Sequence, residues 1–392
     1  MTTLDDVLGS INQEETVALL RELVRTRSYN PPGEEAAVGE LVAQRLRALG
    51  LEVATQVVAD DRANVIGRLR GSGGRPALLL CAHLDTVPPG ERAWTYDPLG
   101  AELVNGRLYG RGSLDTKGAL AAMMVAAGTL AQAMGPSLRG DLVVLATVDE
   151  EVNGQGARAF KANGGMDGIG HLVVGEPTGL DPVIAHRGAL WLEITAHGRA
   201  AHGSMPHQGI NAILPMAAIL ARLARHQFGF TPHPLLQPPT INIATIQGGL
   251  KTNMVPDRCR ATVDIRTVPG QSHSLMLHEV RRAVDKVLQE WPGVDVDVAA
   301  INDKPPLVTA PEATVVHEAL EVARHLWGSV APPRGVAYLT DGAVLAGDAG
   351  IPTLILGPGD EGLAHQVDEY VEVRQVLEAA RFYAALAVRL LT

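Results

Sequence analysis

The sequence predicts an α/β protein in which a mostly parallel-sheet domain is interrupted by a second, α+β domain. Three observations support this fold class. The chain has 392 residues, more than one hydrophobic core usually supports. In its first half, short apolar runs alternate with helical patterns, which is typical of a parallel sheet. The pattern changes near Pro182 and returns after about residue 300, so the first domain is expected to be discontinuous.

Helical periodicity and short apolar runs define the elements of the first half. Apolar residues recur at helical spacing over Glu14–Arg27 and Glu34–Leu49. Apolar runs with the length of buried strands are Asn64–Leu69, Ala77–Ala82, Asp141–Val148 and His171–Val174. The uncharged, Ala-rich segment Gly118–Leu138 contains Thr129 and Gln132, and its weak hydrophobicity favours a helix packed on the sheet over a membrane span.

The order of strand and helix patterns over residues 183–299 predicts an inserted ferredoxin-like domain of the β-α-β-β-α-β type. Its elements are strand Leu190–His197, helix Ile210–His226, strands Thr240–Gln247 and Arg260–Thr267, helix Ser272–Gln289 and strand Val294–Ala299. The proline-rich stretch Thr231–Pro239 is a loop, because proline continues neither element. Residues 1–182 and 300–392 form the α/β domain, whose last elements are helices Glu312–Leu326 and Val373–Leu391 and a buried strand Pro352–Leu356.

Charge and cysteine content exclude several classes of partner. The formal net charge of −10 argues against a nucleic-acid surface and against attraction to anionic lipid. Cys81 and Cys259 form no CxxC pair, which indicates two buried thiols in a reducing compartment. The N-terminal segment lacks a basic-then-apolar signal pattern, so export is not expected. The sequence therefore predicts a cytoplasmic protein with a small-molecule substrate and without nucleic-acid or membrane partners.

Potential metal ligands follow the apolar runs or lie in glycine-rich turns. They are His83 after ALLLCA, Asp115 in GRGSLDTKG, Glu150 and Glu151 after LVVLATVD, Glu176 after LVVG, and His365 in PGDEGLAHQVDEY. Taken singly, each has a structural explanation, such as a helix N-cap for Asp115, a solvated strand end for the glutamates, a structural role for His83 or an ordinary loop position for His365. Open α/β sheets bind ligands outside the carboxyl ends of their strands. The joint occurrence of these residues there favours a functional site.

The residue types predict the chemistry of this site. Two histidines and three carboxylates without cysteine suit Zn²⁺, Co²⁺ or Mn²⁺ rather than a closed structural zinc site. One carboxylate can bridge two metals about 3.5–4 Å apart. His83 and Asp85 can share a strand face, so that the acid orients the imidazole. Neighbouring strand residues point to opposite sides, which predicts that one of Glu150 and Glu151 binds metal while the other moves protons.

As a set, HLDTVP, GRGSLDTKG, DEE, GEPT and the late AH resemble the dinuclear metallo-amidohydrolase family of aminoacylases, acetylornithine deacetylases, succinyl-diaminopimelate desuccinylases and carboxypeptidases. The motifs occur in the family's order over nearly the whole chain. The resemblance implies that His83 and Glu176 hold one metal, that Glu151 and His365 hold the other, and that Asp115 bridges them. Two divalent ions per subunit are expected, with Zn²⁺ as the default and Co²⁺ or Mn²⁺ as alternatives.

The same resemblance implies the catalytic roles. Asp85 would support His83, and Glu150 would take a proton from the attacking water and give it to the departing amine. In GRAAHGSMPHQGINA, His202 matches a family histidine that reaches the active site of the partner subunit and stabilises the tetrahedral oxyanion. A homodimer formed through the inserted domain is therefore expected.

Further motifs of the inserted domain indicate substrate contacts. Arg266 in DIR would pair with the substrate carboxylate, because a guanidinium matches it in a bidentate way. Asn253, which follows a Gly-Gly pair, would supply a polar contact, and Arg187 in AHRG would line the pocket. The structural alternatives are a turn at the Gly-Gly pair and a surface ion pair for Arg266.

The function predicted from these residues is hydrolysis of the amide bond of N-acyl amino acids. The AHRG and GEPT motifs favour an enzyme similar to acetylornithine deacetylase or succinyl-diaminopimelate desuccinylase. The alternative within the family is a metallo-carboxypeptidase or dipeptidase, which would use the same metals with a roomier acyl pocket. A non-catalytic binding module is the alternative from another class. It predicts a missing ligand or base, whereas all of these positions are present.

Overall fold

A computed structural model of the chain describes residues 3–347 and 350–392. The chain divides into two compact units. Unit 1 contains the described residues of Met1–Ile184, Val308–Gly335 and Thr340–Thr392, and unit 2 contains Ala185–Leu307 and Val336–Leu339. Unit 2 is thus inserted in the sequence of unit 1.

The described residues form α-helices of four to six turns and several shorter ones. In chain order they are α1 (Leu4–Gly9), α2 (Gln13–Arg25), α3 (Ala36–Ala48), α4 (Lys117–Ala133), α5 (Gln155–Ala162), α6 (Ile213–Leu223), α7 (His273–Leu288), α8 (Thr314–Trp327), α9 (Gly342–Ala346) and α10 (Val373–Leu391). The predicted helix at Ile210–His226 is shorter, because the side chain of Asn211 accepts a hydrogen bond from the amide of Ile213 and begins the helix there.

The described residues also form strands in both units. In chain order they are β1 (Glu52–Ala59), β2 (Arg62–Leu69), β3 (Ala77–His83), β4 (Glu102–Val104), β5 (Arg107–Tyr109), β6 (Leu142–Thr147), β7 (Ile169–Val174), β8 (Val183–His186), β9 (Gly188–His197), β10 (Thr240–Gly248), β11 (Arg258–Thr267), β12 (Asp295–Lys304), β13 (Leu307–Val308), β14 (Arg334–Val336), β15 (Thr353–Ile355) and β16 (Tyr370–Glu372).

The large sheet of unit 1 places the ends of its central strands side by side. Its order is β1-β2-β6-β3-β7-β15-β8-β13, with β14 paired to β8. The central strands β6, β3, β7 and β15 are parallel, whereas β1 and β2 at one edge are antiparallel. His83 at the end of β3 lies opposite Thr147 at the end of β6. The loops that follow these strands therefore leave from the same edge of the sheet.

Helices cover this sheet. Every residue of β3 and β6 is buried, the pattern of a strand with both faces covered. The Ala-rich segment forms α4, which packs against β3, β6 and α10. Its Gly128 lies against the side chain of Leu49, where a Cβ atom would clash. In the described part of the chain, no helix has the length and apolarity that a bilayer crossing requires.

A small antiparallel sheet, β16-β5-β4, was not predicted from the sequence. Each of its strands has three residues, too few for a pattern of alternating burial to be recognised. Tyr109 at the end of β5 pairs with Tyr370 at the start of β16. The loop after β5 therefore begins next to the point where the loop before β16 ends.

Unit 2 has the β-α-β-β-α-β order, made by β9, α6, β10, β11, α7 and β12. Its antiparallel sheet has the order β10-β11-β9-β12. Residues of β11 alternate between buried and less buried, so helices α6 and α7 pack on one face over a core that includes Ile194, Val263 and Val280. Strand β12 continues past residue 299 because its pairing with β9 extends to Lys304, opposite Ala189.

Candidate metal centre

The predicted ligands lie at the carboxyl ends of the parallel strands of unit 1. His83 is the last residue of β3, Glu151 follows β6 after a short turn, and Glu176 lies two positions after the end of β7. Asp115 precedes α4. It is not the N-cap of this helix, because Thr116 occupies that position and makes no side-chain capping bond. The structural explanation of Asp115 as an N-cap is therefore wrong.

His83, Asp115 and Glu176 form one group of potential ligands. All three are buried, and one ligand atom from each lies within 4.8 Å of the others. The Nε2 atom of His83 is 3.0 Å from Oδ1 of Asp115. The Nδ1 atom is 2.8 Å from the carbonyl oxygen of Asp85, which can only accept a hydrogen bond. Neutral His83 therefore carries its proton on Nδ1 and presents the Nε2 lone pair to the group.

Asp115, Glu151 and His365 form a second group, whose ligand atoms also lie within 4.8 Å of one another. The Nε2 atom of His365 is 3.3 Å from Oδ2 of Asp115 and 3.1 Å from Oε2 of Glu151. Asp115 thus belongs to both groups, with one oxygen directed to each histidine. This is the arrangement of a carboxylate that can bridge two ions.

Crowding of acids in a buried site perturbs the ionisation of these ligands. Burial, together with the charge of Asp115, raises the pKa of Glu151 to about 7, and burial raises the pKa of Glu176 well above its ordinary value. Hydrogen bonds to Asp115 and Glu151 raise the pKa of His365 to about 10. Burial opposes a charged imidazole at His83, but the hydrogen bond to Asp115 and the charges of the nearby carboxylates together outweigh it and raise the pKa. Without a cation, the centre therefore retains protons.

Asp85 contacts His83 and also holds the turn that follows β6. Its carboxylate lies 3.6 Å from Nδ1 of His83, and its backbone oxygen accepts the hydrogen bond instead. The carboxylate accepts hydrogen bonds from the backbone amides of Glu150 and Glu151, each at 3.1 Å, and from the side chain of Asn30 at 2.8 Å. Asp85 thereby holds both the imidazole and the turn that carries the two glutamates.

A buried polar network behind this turn was not predicted from the sequence. Asp149 has a positive φ of 67°, and its carboxylate accepts hydrogen bonds from Asn30 and Arg62. Arg62 also pairs with the buried carboxylate of Glu35. The only signal in the sequence was that Asp149 adjoins the two glutamates. The partners come from remote segments, and only the fold brings them together.

The other predicted residues lie on unit 2. His202 is exposed, and its Nδ1 accepts a hydrogen bond from the backbone amide of Ser204. Because an amide can only donate, neutral His202 carries its proton on Nε2. The backbone oxygen of Asn253 accepts a hydrogen bond from the amide of Gly203, so Asn253 lies next to the loop that carries His202.

Arg187 and Arg266 lie together at one end of the unit 2 sheet. Arg187 donates a hydrogen bond of 2.7 Å to the hydroxyl of Thr240, which pairs with Arg266 in the β-sheet. Arg266 forms a partly buried ion pair of 3.0 Å with Asp264 on its own strand. Burial, with the charge of Arg266 nearby, lowers the pKa of Arg187. The carboxylate of Asp264 pairs with Arg266, and its charge also acts on Arg187.

Fold and centre together define a class: an α/β unit with a paired carboxylate–imidazole centre and an inserted α+β unit. The model of Peptidase family M20/M25/M40 matches residues 79–389. Acetylornithine deacetylase of Myxococcus xanthus is 32% identical over 92% of this chain and 93% of that protein. The acetylornithine deacetylase of Proteus mirabilis is 34% identical over 91% and 92%. The chain belongs to Peptidase family M20/M25/M40.

Solved structures show the same fold. The M20 metallo-carboxypeptidase Sso-CP2 of Sulfolobus solfataricus is 19% identical with a TM-score of 0.77, over 95% of this chain and 98% of that one. The YXEP protein of Bacillus subtilis, described as a dinuclear metal-binding peptidase, is 17% identical with a TM-score of 0.74, over 97% and 98%. The family resemblance, the fold class and the assignment as an amide-bond hydrolase are confirmed.

Proposed function

We propose that this chain is a dinuclear metal-dependent deacylase that hydrolyses the amide bond of N-acyl amino acids. The proposal rests on one observation. Asp115 belongs to both ligand groups, whereas a further acid, Glu150, belongs to neither. The curated relatives named acetylornithine deacetylase support a deacylase, with acetylornithine as the first substrate to test. Peptide hydrolysis by the same centre is the alternative outcome.

The donor set fits a pair of divalent cations. His83 and Glu176 would hold one ion, Glu151 and His365 the other, and Asp115 both. The donors are imidazole and carboxylate, which suits Zn²⁺ first and Co²⁺ or Mn²⁺ as alternatives. Three buried carboxylates so close together repel one another unless protons or cations neutralise them. The pKa values of Glu151 and Glu176, which burial raises, support this part of the proposal.

The chain's own residues would then move the proton. When bound, the ions would polarise the substrate carbonyl and lower the pKa of the attacking water. Glu150 takes the proton from that water and returns it to the departing amine. Its backbone amide is held by the carboxylate of Asp85, so the acid is presented from a fixed turn. A fixed base needs no reorganisation when the reaction occurs.

Residues of unit 2 supply the substrate contacts in this proposal. Arg266 and Arg187 would bind the carboxylate of the amino-acid part of the substrate, since two arginines lie near the single carboxylate of Asp264. Asn253 would add a polar contact. His202 carries its proton on Nε2, the tautomer that can donate a hydrogen bond to an oxyanion. Its action across a homodimer formed through unit 2 is part of the same proposal.

A cytoplasmic location completes the proposal. Cys81 and Cys259 are both buried and free, which suits a reducing compartment.

A hydrolysis screen tests the function. The full chain is assayed on N-acetyl-ornithine, N-succinyl amino acids and dipeptides, before and after treatment with a chelator, and with Zn²⁺, Co²⁺ or Mn²⁺ added back. We expect hydrolysis of an N-acyl amino acid that disappears with the chelator and returns with metal. Cleavage of dipeptides alone would assign a peptidase, and activity that survives complete metal removal would contradict the dinuclear mechanism.

Metal binding should release protons and should weaken as the pH falls. Ligands must be deprotonated to bind metal. In the metal-free chain, the pKa of His365 is about 10, so its proton is displaced even at pH 8. The pKa of Glu151 is about 7, so lowering the pH from 8 to 6 adds about one further proton that the metal must displace.

Calorimetric titration with Zn²⁺ in buffers of different ionisation enthalpy measures this proton release. A reference titration of a chelator in the same buffers corrects for the metal–buffer interaction. The expected result is a larger proton release and a weaker affinity at pH 6 than at pH 8. Heats that are identical in all buffers at both pH values would contradict the assigned ligands.

A further inference from the structure

A buried ion pair lies beside the metal centre, between the loop that carries Asp115 and the loop that carries His365. Arg111 and Glu369 pair through Nη1 and Oε2, and their side chains are 2% and 0% exposed. Neither was predicted as a site residue. A buried ion pair stabilises a protein little more than apolar side chains of the same volume. We therefore look for the role of this ion pair in the further hydrogen bonds that Arg111 and Glu369 make with the main chain.

Glu369 holds the main chain at the shared ligand. Its Oε1 accepts hydrogen bonds from the backbone amides of Leu114, at 3.0 Å, and Asp115, at 3.2 Å. Its own backbone oxygen accepts one from the amide of Gly110, at 2.9 Å. Glu369 and Asp115 are 254 positions apart in sequence, so this carboxylate fixes the position of Asp115 from the opposite end of the chain.

Arg111 reaches the other loop. Its Nη2 donates a hydrogen bond of 3.4 Å to the backbone oxygen of His365. His365 has a φ of 64°, which is costly for a residue with a side chain and needs support from its surroundings. The guanidinium also lies 5.1 Å from the centre of the Trp94 ring. A single cation thus contacts both Glu369 and the main chain of His365.

The small sheet brings these residues together. Tyr109, at the end of β5, pairs with Tyr370, at the start of β16. Arg111 follows the first of these positions by two residues, and Glu369 directly precedes the second. The pairing of the strands therefore determines where Arg111 and Glu369 meet.

We propose that Glu369 and Arg111 are positioning residues, with Glu369 orienting the shared ligand Asp115 and Arg111 orienting His365. The inference rests on the proposed dinuclear centre. The ion pair is the physical link that keeps the two sides of the Asp115–Glu151–His365 group at a fixed separation. Loss of the arginine should weaken metal binding at this group and leave the His83–Asp115–Glu176 group intact.

The double variant Arg111→Met/Glu369→Gln tests the inference. It removes both buried charges, and the amide oxygen of Gln can still accept the hydrogen bonds of Leu114 and Asp115. The ion pair, the contact of the guanidinium with Trp94 and the hydrogen bond to His365 are lost. Metal-free full-length chain is titrated with Zn²⁺ by calorimetry, and the variant Glu151→Gln identifies which binding step belongs to the second group. We expect this step to weaken by about 10–100-fold, the usual loss when an outer partner of a ligand is removed.

Controls separate positioning from stability. Arg45→Met/Glu22→Gln makes the same chemical changes in an exposed ion pair between α2 and α3 and should leave both steps unchanged. Thermal unfolding shows whether the test variant is folded. If it is not, Arg111→Lys, which keeps the charge but not the forked geometry, is titrated instead. With substrate, we expect a lower kcat and a nearly constant KM.

The other outcomes are distinguishable. Unchanged affinity at both steps in a folded variant overturns the inference and leaves the proposed function standing. Equal weakening of both steps overturns the separate role of Arg111. Failure of the wild-type chain to bind two ions overturns the proposed function itself.

Discussion

Replacing Glu150 by Gln is expected to lower kcat by about 10²–10⁴-fold, or roughly 3–5 kcal/mol of transition-state stabilisation, while both metal ions stay bound. The amide has nearly the shape of the acid but cannot accept the proton of the attacking water. The backbone amide of residue 150 would keep its 3.1 Å hydrogen bond to Asp85, so the turn is preserved. Steady-state kinetics on the best substrate, with metal analysis of the same sample, measure both quantities.

Two further variants define the meaning of this result. Glu91→Gln makes the same change at an exposed position and should leave kcat and metal content unchanged. Glu151→Gln should lose metal together with activity, because Glu151 belongs to the second ligand group. If Glu150→Gln loses metal as well, or if Glu151→Gln keeps both ions, the roles of base and ligand have been exchanged.

Replacing Asp115 by Asn is expected to weaken both metal-binding steps by more than the roughly 10–100-fold that the loss of an outer partner costs. Asp115 is the residue shared by the two ligand groups, with an oxygen directed to each histidine. An amide offers one oxygen, and its nitrogen cannot bind metal. Activity should fall to background, and calorimetric titration with Zn²⁺ should show that neither step retains its affinity.

Thermal unfolding provides an independent measurement for this variant. A ligand that binds only the native state raises the melting temperature. Added Zn²⁺ should therefore stabilise the wild-type chain and have little effect on Asp115→Asn. Asp167→Asn, a change at an exposed turn, should respond to Zn²⁺ like the wild type. A normal metal response in Asp115→Asn, with one step of wild-type affinity, would show that Asp115 serves a single ion.

The predictions for Glu150→Gln and Asp115→Asn test separate functions of the acids at the centre. In the proposed mechanism, Glu150 would act on protons, Glu151 on one metal ion, and Asp115 on both ions. Asp85 accepts hydrogen bonds from both backbone amides of the turn after β6, so the main chain that carries the two glutamates is fixed. The buried network of Asp149, Arg62 and Glu35 supports this turn from behind.

Much of the fold was predictable from local patterns. The apolar runs of β3 and β6 have no polar interruption, and such runs form strands that are buried on both faces. The order of elements in unit 2 followed from alternation and helical spacing over whole segments. The strands β4, β5 and β16 were missed because three residues carry too little pattern. Strand β1 was missed because it lies at a sheet edge and is only partly buried.

The candidate metal donors could be predicted from the amino-acid sequence alone. It showed imidazoles and carboxylates at the ends of apolar runs, and the chemistry of these side chains restricted the centre to a small set of divalent ions. The order of the motifs along the chain was sufficient to indicate the family, since the motifs are local and specific as a set.

The arrangement of these donors could not be predicted without the tertiary structure. It showed which oxygen of Asp115 faces which histidine, that the backbone of Asp85 rather than its carboxylate bonds to His83, and that Arg111 and Glu369 join two distant loops. These contacts depend on the alignment of strand ends and on the pairing of β5 with β16. Hydrogen bonds require distances and directions correct to a fraction of an ångström, and such precision arises only when remote segments pack against one another.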